Sequence, residues 1–381
     1  MNIEVLINQL GEHNESNILA TKNLKPKKVI FIYEDKDKSL CENIKKYYLE
    51  NFKDMIFEGI KINEGEIDKI IDLINIYKDK ETIVNLTCGN KLITIVLATI
   101  SRKNQLKSIF IDMKRKQSYL IGEDINNLEL DYEDMILDEI VKASGGEIID
   151  DSSILGEKED LKYLTKKIYE NLTLWHKYKQ KLYDGNIFTH DYEDSTKVNI
   201  NTNFLEKDER DLLNKILVKL KDLNGINYIK DKENQIKVNF NNRYLKSFIF
   251  KSGTWLEIAT NIMISELKEV DEVKSGVIFL WNDKNKDVKN EVDVLAVKDS
   301  IVICISCKDS NKYNEDTLNE LDVYSSQLGG DKVFKILVAT KEPLKALVKL
   351  RAKEMGINIV IFDGNEDKFK DTIRNIILVK K

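Results

Sequence analysis

The sequence predicts an α/β protein with an N-terminal parallel sheet covered on both faces, a small connector and a C-terminal α/β unit. Three observations predict it. Short apolar runs alternate with helix-length stretches through the first third; a polar stretch rich in Asn and Asp interrupts the middle; and in the last third a helix is followed by a tight hairpin with charges set inside apolar strands. The 381 residues amount to about two domains, each long enough to bury a core. With 42% hydrophobic and 33% charged residues the chain is globular rather than disordered.

The first third carries strand-like runs at Ile3–Ile7, Lys28–Tyr33, Met55–Ile60, Thr82–Leu86 and Ser108–Asp112. Between them lie helix-like stretches at Ser16–Lys22, Lys38–Phe52, Gly65–Tyr77 and Asn90–Lys103. Such alternation implies a mostly parallel sheet, whose ligands bind where loops converge beyond the carboxyl ends of the strands. Two loops stand there: Gln9-Leu10-Gly11-Glu12-His13-Asn14-Glu15-Ser16, and Asn85-Leu86-Thr87-Cys88-Gly89-Asn90-Lys91. In the second, Gly89 permits a tight turn with close backbone approach. Lys91 adds a cation to a helix N-terminus that already favours anions. A phosphate or nucleotide suits this loop; an ordinary turn with a helix cap accounts for the same residues. Neither a Walker loop nor a Gly-x-Gly-x-x-Gly motif is present.

Strand–Asn-x-Thr-x-Gly-x-Lys–helix resembles the motif of CRISPR-associated Rossmann-like (CARF) sensor domains, usually Asn-x-Thr-Gly-Gly-Thr-Lys. Asn85, Thr87, Gly89 and Lys91 match, whereas Cys88 and Asn90 stand where Gly and Thr are frequent. The resemblance covers residues 1–145 and implies a homodimer that binds a cyclic oligoadenylate across its twofold axis. The candidate ligand contacts are Gln9, Leu10, Gly11, Asn14, Ser16, Thr87, Gly89, Asn90 and Lys91.

Gln117–Gly122 and a helix over Asp131–Ala143 are expected to close this domain before Ser144-Gly145-Gly146. Residues 146–245 read as a helical or winged-helix-like connector. It comprises a long charged helix over Glu157–Tyr183, a polar linker over Asp184–Asn203, an amphipathic helix over Lys207–Leu223, and strands at Ile226–Ile229 and Gln235–Phe240.

Residues 246–381 hold the strongest chemical signal. A helix opens at Gly253-Thr254-Trp255-Leu256-Glu257, with Thr254 as expected N-cap, and runs through Leu267. A strand at Gly276–Trp281, a polar stretch Asn282–Asn290, and two strands at Glu291–Val297 and Ile301–Lys308 follow. Pairing Lys298 with Ile301 across the tight turn sets Asp293 opposite Ser306 and Glu291 opposite Lys308, provided the register does not slip. An acid and a lysine then share one end of the hairpin, within reach of Glu257. Hydrolysis of a phosphodiester needs such a group: a divalent ion on oxygen ligands activates water, and a lysine stabilises the developing charge. Mg²⁺ or Mn²⁺ would take Asp293, Glu257 and the Cys307 carbonyl. A surface hairpin with ordinary charges is the plainer alternative.

Helix-Glu, then Asp, then a strand ending in acid-x-Lys resembles the PD-(D/E)XK nuclease superfamily. The matching residues are Glu257, Asp293 and Lys308, and Gln327 lies on the helix where members often carry a polar residue. Ser306 occupies the second acid position, so Glu291 or Glu257 would compensate at the metal. Together the two halves resemble the CRISPR ancillary nucleases of the DUF1887 type. That resemblance implies a homodimer activated by cyclic tetra-adenylate from a type III complex, which cuts DNA and/or RNA with a metal. The alternatives are a restriction- or repair-type endonuclease independent of such a ligand, and an inactive nucleotide-responsive regulator.

Other features point to a cytoplasmic protein without a membrane partner. The four cysteines are too scattered for a disulfide framework, and Cys304 and Cys307 read as core thiols on opposite faces of a strand. No apolar run approaches the roughly 20 residues of a membrane span, and no signal peptide is evident. The net charge of −5 argues against nonspecific coating of nucleic acid. The basic run from Lys335 to Lys353 reads as a solvated helix face. Of the histidines only His13, inside the first ligand loop, invites a role.

Overall fold

The structure, a computed structural model, describes residues 2–130, 133–232, 234–251, 253–281 and 289–378. The chain begins β1 (Val5–Gln9), α1 (Glu15–Leu24), β2 (Lys28–Tyr33), α2 (Lys38–Asn51), β3 (Ile56–Lys61), α3 (Ile67–Tyr77), β4 (Thr82–Asn85), α4 (Lys91–Lys103), β5 (Lys107–Asp112), β6 (Gln117–Ile121) and β7 (Ile125–Leu128). The sheet order is β3-β2-β1-β4-β5-β6-β7; β1 to β5 are parallel, and β6 and β7 are added antiparallel. The strands are apolar on both faces because both are covered. Leu6, Phe31 and Ile109 pack with α1 and α2, whereas Val5, Ile7, Ile30 and Val84 pack with α3 and α4. From β1 the sheet grows to β2 and β3 on one side and to β4 and β5 on the other. The switch point between β1 and β4 is therefore the crevice where a ligand of this fold binds.

Two expectations change here. Strand β7 was not expected, and the helix read over Asp131–Ala143 is confined to α5 (Leu137–Ala143); Asp131 and Tyr132 lie outside the described residues. Met135 is instead buried in the core, and its N–H donates to Ser300 Oγ (2.9 Å).

After α5 come β8 (Gly146–Asp150), α6 (Glu159–Tyr169), α7 (Leu172–Tyr178), β9 (Phe188–His190), β10 (Lys197–Asn201), α8 (Lys207–Asp222), β11 (Ile226–Lys232), β12 (Gln235–Phe240) and α9 (Arg243–Phe250). The single long helix over Glu157–Tyr183 is in fact broken after Tyr169. The Asn171 side chain donates to the Lys167 carbonyl (2.9 Å), and α7 restarts at Leu172 to carry Trp175 inward. Nor is Asp184–Asn203 a linker. Phe188, Val198 and Ile200 alternate with polar residues, and β9 and β10 complete a four-stranded antiparallel sheet in the order β11-β12-β10-β9. The partner strand lies some 40 residues further on, at Gln235–Phe240, and long-range pairing overrides the polar local composition.

The last segment comprises α10 (Thr254–Ser265), β13 (Glu272–Trp281), β14 (Lys289–Lys298), β15 (Ile301–Lys308), α11 (Glu315–Gly329), β16 (Phe334–Ala339), α12 (Ala346–Glu354), β17 (Ile357–Ile361) and α13 (Glu366–Leu378). Its sheet runs β17-β16-β15-β14-β13-β8, so Gly146–Asp150, in the stretch read as connector, forms the edge strand of the C-terminal sheet. Gly253, not Thr254, takes the N-cap position of α10, and Thr254 is the first helical residue. Of the polar stretch Asn282–Asn290, residues 282–288 lie outside the described residues, and Lys289 and Asn290 belong to β14. Period-two alternation holds in the hairpin. Leu295, Val297, Val302 and Cys304 pack with α11; Val294, Ala296, Ile303 and Ile305 pack with α10 and α13. Among the described residues no helix is long and apolar enough to cross a membrane.

The two ends of the chain share a core. One apolar cluster runs from α1, α2 and α5 into Phe279, Leu295, Leu318 and Leu328. The β14–β15 turn, Asp299-Ser300, has both φ angles positive (54° and 63°), as a two-residue hairpin turn requires. Ser300 also donates to Asp134 (3.2 Å), and Glu272 accepts from the Leu137 N–H (2.7 Å).

Asp309 ties the middle region to this sheet. Its carboxylate is 2% exposed and accepts from the indoles of Trp175 (2.7 Å) and Trp255 (2.9 Å) and from the Thr340 hydroxyl (2.8 Å). His176 (3.1 Å) and Lys179 (3.1 Å) complete the ring of partners. Burial pushes this carboxyl up, but the indole hydrogen bonds, Lys179 and Thr340 outweigh it and hold it below the usual range. A depressed carboxyl stabilises the fold above its unfolded pKa, and that stabilisation is lost as the pH falls through the folded value. Asp309→Asn is therefore expected to cost about 2–4 kcal/mol at pH 7. The gap to wild type should shrink below about pH 4. Urea midpoints across pH check this, and equal stabilities at pH 7 would refute it.

Candidate functional site

The nuclease-like hairpin folds as its turn dictates. Lys298 pairs with Ile301 and the ladder runs back to Val294 opposite Ile305, which brings Asp293 beside Ser306. Asp293 Oδ2 accepts from the Ser306 hydroxyl (3.1 Å) and the Cys307 N–H (2.6 Å), and Lys308 Nζ stands 3.5 Å away. On its other side β14 pairs Val292 with Val277 and Val294 with Ser275, while Gly276, opposite Asp293, drops out of the ladder. Gly276 has φ of 55°, and a Cβ there would lie 2.2 Å from Ser152 Oγ, so glycine is required. The local break frees Asp293 from regular pairing.

Glu257 projects from the first turn of α10 towards the same spot. Burial, then Asp293 and Glu291, raise its carboxyl to about 7, against a smaller opposing pull from Lys308. Three acids thus face one lysine. Among the described residues the only three acids with oxygens all within 4.8 Å of one another are Asp134, Asp271 and Asp299, at the domain junction; Glu257, Asp293 and Glu291 are not so gathered. Glu291 itself is exposed. The Cys307 thiol points away into the core, 3.6 Å from Thr260 Oγ1, and burial pushes it well up, which leaves its carbonyl as the available ligand atom. Cys304 is buried on the opposite face, its thiol pushed to about 12 by burial. Gln327, on α11, accepts from the Trp281 indole (3.0 Å), so its hydrogen bond goes to β13 and not to the Asp293 group.

At the β1/β4 crevice the named loop residues divide into scaffold and surface. Asn14, fully buried, exchanges hydrogen bonds with Gly11 (2.7 and 3.1 Å) and donates to the Ala143 carbonyl (3.2 Å). Ser16 meets Cys88 Sγ at 2.8 Å, and Cys88 also reaches the His13 carbonyl (3.3 Å), so Cys88 knits the two loops together. Thr87 donates to Asn85 Oδ1 (2.7 Å) and accepts from the Ile111 N–H (2.9 Å). Leu10 and Gln9 are buried, and the Gln9 amide bridges Thr94 and the Asn90 backbone. That side chain lies over Gly89: φ there is 98°, and a Cβ would meet Gln9 Cδ at 2.1 Å. Asn90 caps α4 through the Leu92 N–H (2.8 Å). Lys91 is exposed and has no ion-pair partner among the described residues. The crevice thus offers a helix N-terminus and one free cation, a combination suited to an anion.

Sequence reasoning did not single out Asp309 or His176. Their signal is an acid directly after the strand-ending lysine, and only the fold brings Trp175 and His176 to it.

No curated protein matches the chain. Residues 245–379 match the family described as Card1-like, endonuclease domain. Among solved structures, protein VC1899 from Vibrio cholerae superposes with a TM-score of 0.72 at 15% identity, covering 98% of this chain and 97% of that one. Can2 from Sulfobacillus thermosulfidooxidans, solved with cyclic tetra-adenylate, gives 0.68 at 16% over 98% and 97%. A type III CRISPR defence DNA nuclease activated by cyclic oligoadenylate gives 0.53 at 12%, over 91% of this chain and 48% of that one. At these identities the superpositions speak for the fold. The chain shares the architecture of these proteins, and its residues 245–379 are similar to the Card1-like endonuclease domain.

Proposed function

We propose that the chain is a metal-dependent endonuclease of type III CRISPR defence, acting in the cytoplasm as a homodimer and switched on by cyclic tetra-adenylate at the β1/β4 crevice. The observation that carries this reading is the convergence of Asp293, Lys308 and Glu257 in a Card1-like endonuclease domain. The fold shared with Can2, whose structure holds cyclic tetra-adenylate, supports the activator.

An oxygen-rich site whose Glu257 is raised by burial and then by two neighbouring carboxylates is short of positive charge, and it fits a hard divalent cation. Asp293 and Glu257, with Glu291 and the Cys307 carbonyl, would hold Mg²⁺ or Mn²⁺. Such an ion polarises a phosphodiester and lowers the pKa of an attacking water. Lys308 supplies the positive charge that meets the developing phosphorane, and its ion pair with Asp293 fixes its position. Ser306, in place of an acid, donates to Asp293 and so orients it without adding charge. Ser306 also favours a second reading, a nucleotide-responsive regulator that does not cut. Metal-dependent cleavage of DNA and RNA, assayed with and without cyclic tetra-adenylate, separates the two.

At the other end, Lys91 and the α4 N-terminus bind activator phosphates, and a symmetric ring spans the twofold axis of the dimer. Binding activates cleavage only by favouring an arrangement in which the nuclease sites engage a strand.

Three outcomes are expected. Asp293→Asn and Lys308→Ala each lower cleavage by about 10²-fold or more while leaving activator affinity intact; full activity in either refutes the site. Lys91→Ala raises the activator concentration for half-maximal cleavage, and superimposable titrations would make the loop a structural turn. The third concerns Glu257. Because its folded carboxyl sits near 7, above its ordinary 4.5, the stability it confers is complete below about pH 4.5 and is lost as the pH rises through 7. Without metal, Glu257→Gln should thus be more stable than wild type at pH 8 by about 2–3 kcal/mol. The two should coincide near pH 4, and Mg²⁺ should narrow the gap. Parallel stability curves would show that Glu257 is not held in this way.

A further inference from the structure

The loops of the β1/β4 crevice are poor in positive charge for a ligand with several phosphates. They bring Lys91, but also Glu12 and Glu15, and Glu15 is 3% exposed with Oε2 buried and unpartnered. Even with Lys91 supplied twice across a twofold axis, a ring with one phosphate per nucleotide has room for a further cation in each protomer.

The turn between α11 and β16, Gly330–Lys332, reaches this crevice from the nuclease domain. Gly330 lies against the His13 ring so closely that a Cβ on it would sit 2.9 Å from His13 Cδ2. His13 belongs to the first ligand loop and is itself held by Ser144 Oγ at 3.3 Å. Lys114, at the end of β5, donates to the Asp331 carbonyl (2.9 Å) and fastens the turn to the sensor sheet. Lys332 then extends to Met113, its Nζ 3.5 Å from the thioether sulfur. Burial raises the Cys88 thiol, which joins the two ligand loops, and the Lys332 ammonium group is the strongest opposing influence on it.

What surrounds Lys332 sets it apart. Besides Lys114, whose ammonium group is spent on the Asp331 carbonyl, a cavity of about 270 Å³ at this junction is lined by Arg115, Lys116, Lys298 and Lys335. Each of those has a carboxylate: Arg115 has Asp112, Lys116 has Asp134 and Asp299, Lys298 has Asp299, and Lys335 has Asp322. Among the described residues no carboxylate lies within 4 Å of Lys332 Nζ, and a thioether is a weak acceptor for an ammonium group. A half-buried ammonium in that setting lacks a counter-charge, and the flexible lysine stem allows it to swing to one nearby.

We propose that Lys332, carried by the nuclease domain, is a phosphate-binding residue of the activator crevice in its own chain. A phosphate of the cyclic oligoadenylate takes the place of Met113 at its ammonium group. The activator is then held by both domains at once, and binding pulls directly on the turn that joins α11 to β16. This inference rests on the sensor reading given above.

The test is direct binding of cyclic tetra-adenylate to the full-length protein, by calorimetry, for wild type and for K332Q, K332R and K335Q. Melting temperatures without ligand, matched to wild type, establish that each variant is folded. A charge-assisted hydrogen bond of about 1.5–3 kcal/mol predicts that K332Q raises Kd by roughly 10- to 100-fold. K332R should stay within a few-fold of wild type, and K335Q, whose lysine already has Asp322, should match it. K332Q binding as tightly as wild type overturns the proposal. So does an equal loss in K335Q, which would mean a general field, or an equal loss in K332R, which would mean packing on Met113. A wild-type protein that does not bind the ligand fails at the earlier step, and the sensor reading falls together with this one.

Discussion

A buried carboxylate is costly unless donors surround it, and Asp309 is satisfied only because three parts of the chain meet at it. Trp175, His176 and Lys179 come from the middle region, Trp255 from the start of α10, and Thr340 from the end of β16. Asp309 directly follows Lys308, and Trp255 is two residues before Glu257. The same carboxylate therefore fixes both the strand end that carries the lysine and the helix turn that carries the glutamate. The chemistry at Asp293 is set by its own hairpin, but the approach of Glu257 depends on this hub.

How much of this was legible in the sequence follows from the range of the interactions. The parallel sheet could be read because each strand is an apolar run beside its own helix. The hairpin could be read because a two-residue turn dictates its register, which places Asp293 at Ser306. Strands β9 and β10 were hidden, since their polar composition is overridden by pairing with distant β12. The break between α6 and α7 was hidden too, because helical propensity does not show that Trp175 must reach Asp309. The two loops that the sequence singles out do meet at the β1/β4 crevice, where Asn14, Ser16 and Thr87 spend their polar groups on holding those loops in shape. For Gln327 the helix was evident, while its partner, Trp281, lay on a strand whose side chains no local pattern assigns to it.

The two halves are not beads on a string. One apolar cluster extends from the N-terminal helices into the C-terminal sheet, and polar ties at Ser300, Glu272 and Lys116 lock the β14–β15 turn to the segment around the start of α5. A signal crossing such a junction has few soft routes. Densely packed interfaces switch between discrete arrangements rather than deforming smoothly.

The path of the chain from α5 straight into β8 bears on how the protein can be cut or truncated. Gly146–Asp150 leaves α5 and at once becomes the edge strand beside β13, although the rest of that sheet arrives more than 100 residues later. A fragment that begins at the endonuclease domain boundary would lack this strand and bare the hydrogen-bonding edge of β13. Exposed edges of this kind recruit strands from other molecules. Self-association and poor solubility are the natural fate of an isolated nuclease fragment, whereas one that keeps β8 retains the covered edge of the intact sheet.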